Sequence, residues 1–375
     1  EIGFPVLVRP SYVLSGSAMS VIWRDDDVEK YLASASRVSG KHPVVISKYF
    51  TGATEYDVDV VAFHGSVLCY SVCEHVENAG VHSGDATMFL PPQNTDATTV
   101  DVLRQQTAKL AAALDVTGPM NVQFLQTSSG EIKVIEANVR SSRSIPFVSK
   151  VLGISFPRVM VDAFLGTVDS PPTPVQQGDL MKLGYVGCKA SVFSFVRLAK
   201  ADPILGVEMA STGEVGVFGH TKHEAFLKAL IAAKFVYPTV SVLVAIDSLD
   251  VAVAFVPYAR KLSQKLILYA TPQTASVLRG HGCPCTILHL PENHHVEPTV
   301  YSYLKQKKIS LVIQLRDKTR DFTLRRQTEA TAGQDYFVRR FAVDFNTPLI
   351  TDERLAELLV DAMGQYDPQN MEIES

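Results

Sequence analysis

Positions 136 to 143 read Glu-Ala-Asn-Val-Arg-Ser-Ser-Arg, which sets a carboxylate, an amide and two guanidinium groups close together. A Mg²⁺ ion bound to a triphosphate takes a few hard oxygen ligands in octahedral geometry. Water or phosphate fills its other positions. Glu136 and Asn138 are ligands of that kind. Arg140 and Arg143 carry the planar fork that grips a flat anion or a transferring phosphoryl group. Gln123 adds a further oxygen from a hairpin whose arms, 120–126 and 131–138, flank a turn at Ser129-Gly130. If those two residues are the whole loop, Ser128 pairs with Glu131 and Gln123 lies opposite Glu136. Asn138, two residues further on, points to the same face. A solvated hairpin edge that carries polar residues is the alternative these spacings leave open.

Other elements must hold this group in place. Segments 4–8, 43–50, 56–63 and 67–76 are rich in β-branched and aromatic residues, and most are separated by polar or glycine-containing turns, which predicts strands. Over 96–114, Val100, Leu103, Thr107, Leu110 and Leu114 recur every three or four residues. They share one face of a predicted helix with Asp96 as its N-cap. Residues 169–174 read as a loop, and 182–219 as a glycine-rich stretch with few clear periods. A helix is predicted over 222–234, and Tyr237-Pro238 marks a boundary. Beyond it, apolar strands at 240–246, 266–270, 285–288 and 309–314 alternate with helices, the last over 352–363. That alternation predicts a parallel, doubly wound sheet.

The composition permits two or three domains, with 46% apolar residues among 375. A net charge of −4, with both signs interspersed, argues against a nucleic-acid partner or a membrane patch. No apolar run reaches the roughly 20 residues of a membrane span, and residues 1–10 lack a signal-peptide pattern. Five scattered cysteines, Cys69, Cys73, Cys188, Cys283 and Cys285, do not form a disulfide framework, so a reducing, cytoplasmic setting is expected. Cys283-Pro284-Cys285 has the wrong spacing for a zinc knuckle. The start, without an initiator Met and close to a strand-like segment, reads as a cut inside a domain.

Four stretches occur in order: 3–12, 74–85, 120–124 and 136–150. Together they resemble the carbamoyl-phosphate synthetase large chain, in its second, carbamate-phosphorylating ATP-grasp unit. Residues 203–216 resemble that family too. The C-terminal region looks like its methylglyoxal-synthase-like regulatory domain, and Val139, Ser141-Ser142 and Ser15–Ser17 look closer to its eukaryotic pyrimidine-pathway members than to bacterial ones. The implied fold is an α+β ATP-grasp unit, present only in its C-terminal portion, followed by an α/β doubly wound methylglyoxal-synthase-like domain. The implied division is 1–167 for the partial ATP-grasp unit, 168–236 for its end and a connector, 237–366 for the regulatory domain, and 367–375 for a tail.

The resemblance also implies roles. Arg9 contacts ATP phosphates. Lys48, Phe50 and Glu55 hold base and ribose, although bacterial members carry His where this chain has Lys48. Gly80, Val81, His82 and Ser83 form a loop against the nucleotide. Gln123, Glu136 and Asn138 bind two magnesium or manganese ions, and Arg140 and Arg143 orient carbamate and the phosphoryl group. A potassium ion is implied near Glu77 and the carbonyls around Val81. The activity implied is that of an ATP-dependent ligase, working with the rest of the synthetase and a glutaminase domain or subunit. This chain alone is expected to be incomplete for catalysis, and an oligomer is compatible with the family.

Two departures matter. The bacterial ornithine pattern has three acids; here Glu77 and Asp85 remain, but Ala190 holds the third place, so ornithine activation is not expected. The regulatory turn Thr271-Pro272-Gln273-Thr274 keeps both hydroxyls but has Gln273 in place of the family's glycine. The later hydroxyl motif reads Gln314-Leu315-Arg316. Thr271 and Thr274 are therefore the expected contacts for a nucleotide-type effector, with Arg316, Lys318 and Arg320 nearby. The rival readings are another ATP-grasp ligase and an effector-binding assembly module without catalysis.

Overall fold

The structure, a computed structural model, describes residues 2–11, 16, 18–29, 31–33, 42–168, 180–290, 296–316, 333–368 and 371. The predicted loop at 169–174 and the cations Lys318 and Arg320 lie outside the described residues.

Near the start, β1 (Val6–Pro10) runs antiparallel between β2 (Ser20–Ile22) and β3 (Val44–Lys48). Next come β4 (Thr54–Phe63), β5 (Ser66–His75), β6 (Met88–Leu90), β7 (Gly118–Gln126) and β8 (Ile132–Asn138). With β9 (Val186–Phe193) and β10 (Ser211–Gly219) they form one antiparallel sheet, ordered β10-β9-β6-β5-β4-β7-β8. Helices α1 (Ala97–Ala113), α2 (Ile145–Leu152) and α3 (Phe156–Leu165) pack against it, in one apolar cluster with Tyr56, Val58, Val60, Val122 and Phe124. Asp96 caps α1 by accepting from the Thr99 N–H at 2.6 Å. Val100, Leu103 and Thr107 are buried as the spacing predicts, but Leu114 lies past the helix end and is exposed, and Ala111 takes the buried place.

The stretch 182–219 departs from its reading. It contains β9 and β10, and their alternation is masked by glycines that close packing requires. A Cβ on Gly187 would come within 2.5 Å of Val151, and one on Gly216 within 2.7 Å of Phe147. Both neighbours belong to α2, so the missing side chains let that helix sit directly on the sheet.

After α4 (Lys222–Ala232), the C-terminal region builds a parallel sheet. Its strands are β11 (Ser241–Ile246), β12 (Ile267–Ala270), β13 (Thr286–Ile287), β14 (Leu311–Leu315) and β15 (Leu349–Ile350), ordered β13-β12-β11-β14-β15. Helices α5 (Leu249–Ser263), α6 (Pro272–Gly280), α7 (Val300–Lys305), α8 (Gln334–Asp344) and α9 (Glu353–Gln365) complete it. Val242, Val244 and Ile246 pack with Phe255, Leu278 and Leu359, while Leu243 and Ala245 pack with Val300, Leu304 and Val338. Helices on both faces of a parallel sheet are the doubly wound arrangement the sequence predicts. Helix α8 and strand β15 are additions to that reading. Arg339 and Arg340 interrupt the apolar stripe of α8, yet both are buried.

The two larger sheets share a core. Phe89, Val186 and Cys188 of the first and Val242, Phe255 and Leu359 of the second belong to one apolar cluster, joined through Phe226 and Leu230 of α4. The predicted boundary at Tyr237-Pro238 separates the sheets along the chain, but no break in packing accompanies it.

Candidate active site

Register decides where the oxygen donors go. Gln123 pairs with Glu136 and Asn121 with Asn138 across β7 and β8, as the sequence implies. The premise behind that expectation needs correcting. Near the turn the partners are Gln126 with Ile132, and the Thr127 N–H donates to the Glu131 carbonyl, so the loop holds three residues. An irregularity between Phe124 and Gln123 then leaves Ile135 without a partner, and this bulge restores the alignment of Gln123 with Glu136.

These residues open into a cleft of about 920 Å³ between the small sheet and the polar face of the seven-stranded one. The residues named from the sequence for ATP, the divalent ions and carbamate line it: Arg9, Lys48, Phe50 and Glu55, the loop Gly80–Ser83, Gln123, Glu136, Asn138, Arg140 and Arg143, whereas Glu77, named for potassium, is not in its lining. Arg9 reaches across from β1 and donates to Glu136 Oε2 at 2.9 Å, while Glu136 Oε1 accepts from the Asn138 amide at 2.9 Å. The Gln123 amide nitrogen donates to Ser83 Oγ at 2.9 Å. Its carbonyl oxygen therefore remains an acceptor. Arg140 and Arg143 are exposed at the rim, and Arg143 contacts Met209 Sδ at 3.0 Å and Ser211 Oγ at 3.2 Å. Lys48 donates to the carbonyls of Gly3 and Phe4, and the Lys133 ammonium sits 5.4 Å from the Phe50 ring centroid.

Beneath the cleft lies a polar layer that the sequence reading missed. Along β4, Glu55, Asp57 and Asp59 take the cleft side while Tyr56, Val58 and Val60 enter the core. His75 Nε2 lies 2.8 Å from Asp57 Oδ2, and its Nδ1 lies 3.5 Å from Glu55 Oε2. The Asn121 amide donates to both Asp57 and Asp59, and Ser144 Oγ donates to Asp59. Glu55 also accepts the Gly80 N–H at 3.0 Å, which fixes the loop. Burial would raise the Asp57 carboxyl, but the hydrogen bond and charge of His75 outweigh it and hold it low. Burial, helped by the charge of Asp57, pushes the Asp59 carboxyl up to about 6. The strict alternation of acids with Tyr and Val over 55–60 was the available signal for this layer.

His82 serves the loop. Its Nδ1 accepts the Gly84 N–H at 3.0 Å, and burial lowers its pKa, so the ring is neutral and occupied. Two acids of the ornithine pattern are also committed to backbone. Asp85 accepts N–H groups from Ala210 and Ser211, and Glu77 accepts the Thr87 N–H, with burial raising it to about 7.

Thr271 and Thr274 lie elsewhere, at the start of α6. Thr274 is fully buried: its hydroxyl accepts the Ile246 N–H at 2.8 Å and faces the end of β11. Thr271 Oγ1 lies 3.0 Å from Thr274 Oγ1. Neither hydroxyl stands out into solvent.

Residues 1–166 match the family model described as carbamoyl-phosphate synthase L chain, ATP binding domain. The chain is 44% identical to the multifunctional protein pyr-3 of Neurospora crassa over 100% of its own length and 20% of that protein. It belongs to the carbamoyl-phosphate synthetase large-chain family. A human member, the mitochondrial carbamoyl-phosphate synthase [ammonia], is 39% identical over 97% of this chain and 24% of its own length. The chain spans 16–20% of the length of the first multifunctional relatives it matches. Among solved structures, a biotin carboxylase from Campylobacter jejuni aligns with a TM-score of 0.48 at 18% identity, over 61% of this chain and 57% of that one.

Proposed function

We propose that this chain carries the MgATP centre at which a carbamoyl-phosphate synthetase phosphorylates carbamate. The division is a partial ATP-grasp unit over 1–167, its end and a connector over 168–236, a methylglyoxal-synthase-like regulatory domain over 237–366, and a tail. The observation that carries the reading is the convergence of Gln123, Glu136 and Asn138 with Arg9, Arg140 and Arg143 in one cleft.

The donor set fits a divalent ion that arrives with phosphate. It holds one carboxylate and two amides, and among the described residues no group of three or more His, Cys, Asp or Glu could hold a metal. Mg²⁺ bound through a single carboxylate plus substrate phosphates matches that supply. Gln123, Glu136 and Asn138 would hold magnesium or manganese, which neutralises phosphate charge when bound. The chain's own task is alignment, the main demand of phosphoryl transfer. Arg9 fixes the Glu136 carboxylate through one oxygen. Glu55 and Ser83 hold the Gly80–Ser83 loop and the Gln123 amide in register. Arg140 and Arg143 present bidentate donors to carbamate and the moving phosphoryl group.

The same reading includes a cytoplasmic protein joined to a glutaminase partner, a potassium ion near Glu77, and a nucleotide-type effector at the carboxyl ends of the parallel strands. All five cysteines are free thiols, in keeping with a reducing compartment. The test is calorimetric titration of MgATP. Glu136→Ala should weaken binding by about 100-fold or more, since it removes the one carboxylate of the proposed ligand set. Equal affinity in the variant and the parent would refute the centre.

A further inference from the structure

Residues 194–210, which join β9 to β10, are gripped at both ends. At one end the grip comes from helix α8. Arg339 donates to both carboxylate oxygens of Asp202, at 2.7 and 2.6 Å, and its remaining terminal nitrogen donates to Gln314 Oε1 at 2.8 Å. Arg339, Asp202 and Gln314 are all buried, and Gln314 sits at the carboxyl end of β14. Arg340 donates to the carbonyls of Phe195, Leu198 and Ala201, and Tyr336 Oη donates to the Lys200 carbonyl at 3.0 Å. At the other end the grip comes from the cleft. The Gly206 carbonyl accepts the His82 N–H at 2.8 Å, and Asp85 accepts the N–H groups of Ala210 and Ser211. Met209 and Ser211 carry the Arg143 guanidinium, and Val207 and Met209 line the cleft wall.

From this continuity we infer that Asp202 and Arg339 are positioning residues for the cleft. Helix α8 of the C-terminal region fixes Asp202, and the strap from 202 to 211 thereby sets the places of His82 and Arg143. A forked guanidinium on a carboxylate fixes direction as well as distance, which a point charge does not. From 202 to 206 the strap is only a few residues long, so displacement at Asp202 is transmitted rather than absorbed. The Gln314 contact extends the link to the strand ends of the parallel sheet.

The test is hydrogen–deuterium exchange on the full-length protein. Arg339→Lys keeps the charge but loses the fork. Exchange in peptides covering 80–86 and 203–213 should rise about fivefold or more, with α1 over 97–113 unchanged. A rise confined to 195–202 and 333–344, or one spread over the whole chain, overturns the inference. If that variant does not fold, Tyr336→Phe, which removes the hydroxyl bonded to the Lys200 carbonyl, should raise exchange about twofold in the same peptides. No change there is equally fatal. A kinetic arm rests on the proposed MgATP centre. Arg339→Lys should raise the KM for MgATP about tenfold, while Lys261→Ala, at the exposed pair with Asp361, leaves it unaltered. An unchanged KM in a folded variant, beside a parent that saturates with MgATP, breaks the link to the cleft. A parent that shows no MgATP saturation defeats the proposed function instead, and the exchange result then decides the inference alone.

Discussion

Strand β4 sets Glu55, Asp57 and Asp59 on one face and Tyr56, Val58 and Val60 on the other, whereas β11 is buried at every position with apolar residues on both sides. The first sheet is covered by α4 at Val186 and Cys188 on one face and by α2 at Gly187 and Gly216 on the other, and the rest of that second face, with Glu55 and Asp57, holds a polar layer and a cleft. The second is covered twice, and its polar groups collect where strands end: Asp247, Thr271, Gln314 and Arg316. An antiparallel sheet can thus build a site across the middle of its strands, while a doubly wound one is confined to their carboxyl ends. Sequence motifs on the first report chemistry directly. On the second they report fold.

The contrast can be broken most directly in the parallel sheet. Leu243→Ala should cost about 2–5 kcal/mol of stability, because no solvent-facing side exists to relax into. Denaturant unfolding measures this, and a loss well under 1 kcal/mol would mean that the sheet is not packed on both faces.

A second test sharpens the contrast from the polar side. The Asp59 carboxyl has its pKa raised from 3.8 to about 6 in the folded chain. Folding therefore takes up a proton within that window. The stability tied to this group is fully present below pH 3.8 and is lost as pH rises through 6. A shift of that size corresponds to about 3 kcal/mol. Asp59→Asn should flatten the fall in unfolding free energy between pH 4 and 6.5; an unaltered pH profile would place the charge elsewhere.

The smallest effect belongs to a polar group that caps a helix. Thr299 caps α7 by accepting the Ser302 N–H at 3.1 Å within a capping box. Thr299→Ala should lower stability by about 1 kcal/mol, read as a shift in melting temperature, and leave MgATP affinity unchanged.

Much of this was legible beforehand, for reasons that differ by region. Asp96 announces a helix start because a short side-chain oxygen there satisfies an otherwise orphaned N–H. A two-residue loop pairs Gln123 with Glu136 directly, and the actual three-residue loop keeps that pairing because the bulge at Ile135 adds one residue to β8. Hidden features share a cause: residues whose partners lie far along the chain. Arg339 looks like surface until Asp202 is beside it, Gly187 looks like a turn until Val151 lies over it, and Asp57 looks like a solvated acid until His75 is found against it.

The apolar cluster that runs through α4 bears on how such a chain can be recombined. A graft made at Tyr237-Pro238, the obvious seam in the sequence, would pull Phe226 and Leu230 away from Val242, Phe255 and Leu359 and leave both cut surfaces greasy. A chimera that imports a foreign C-terminal half would need to bring α4 and the partners of Asp202 with it.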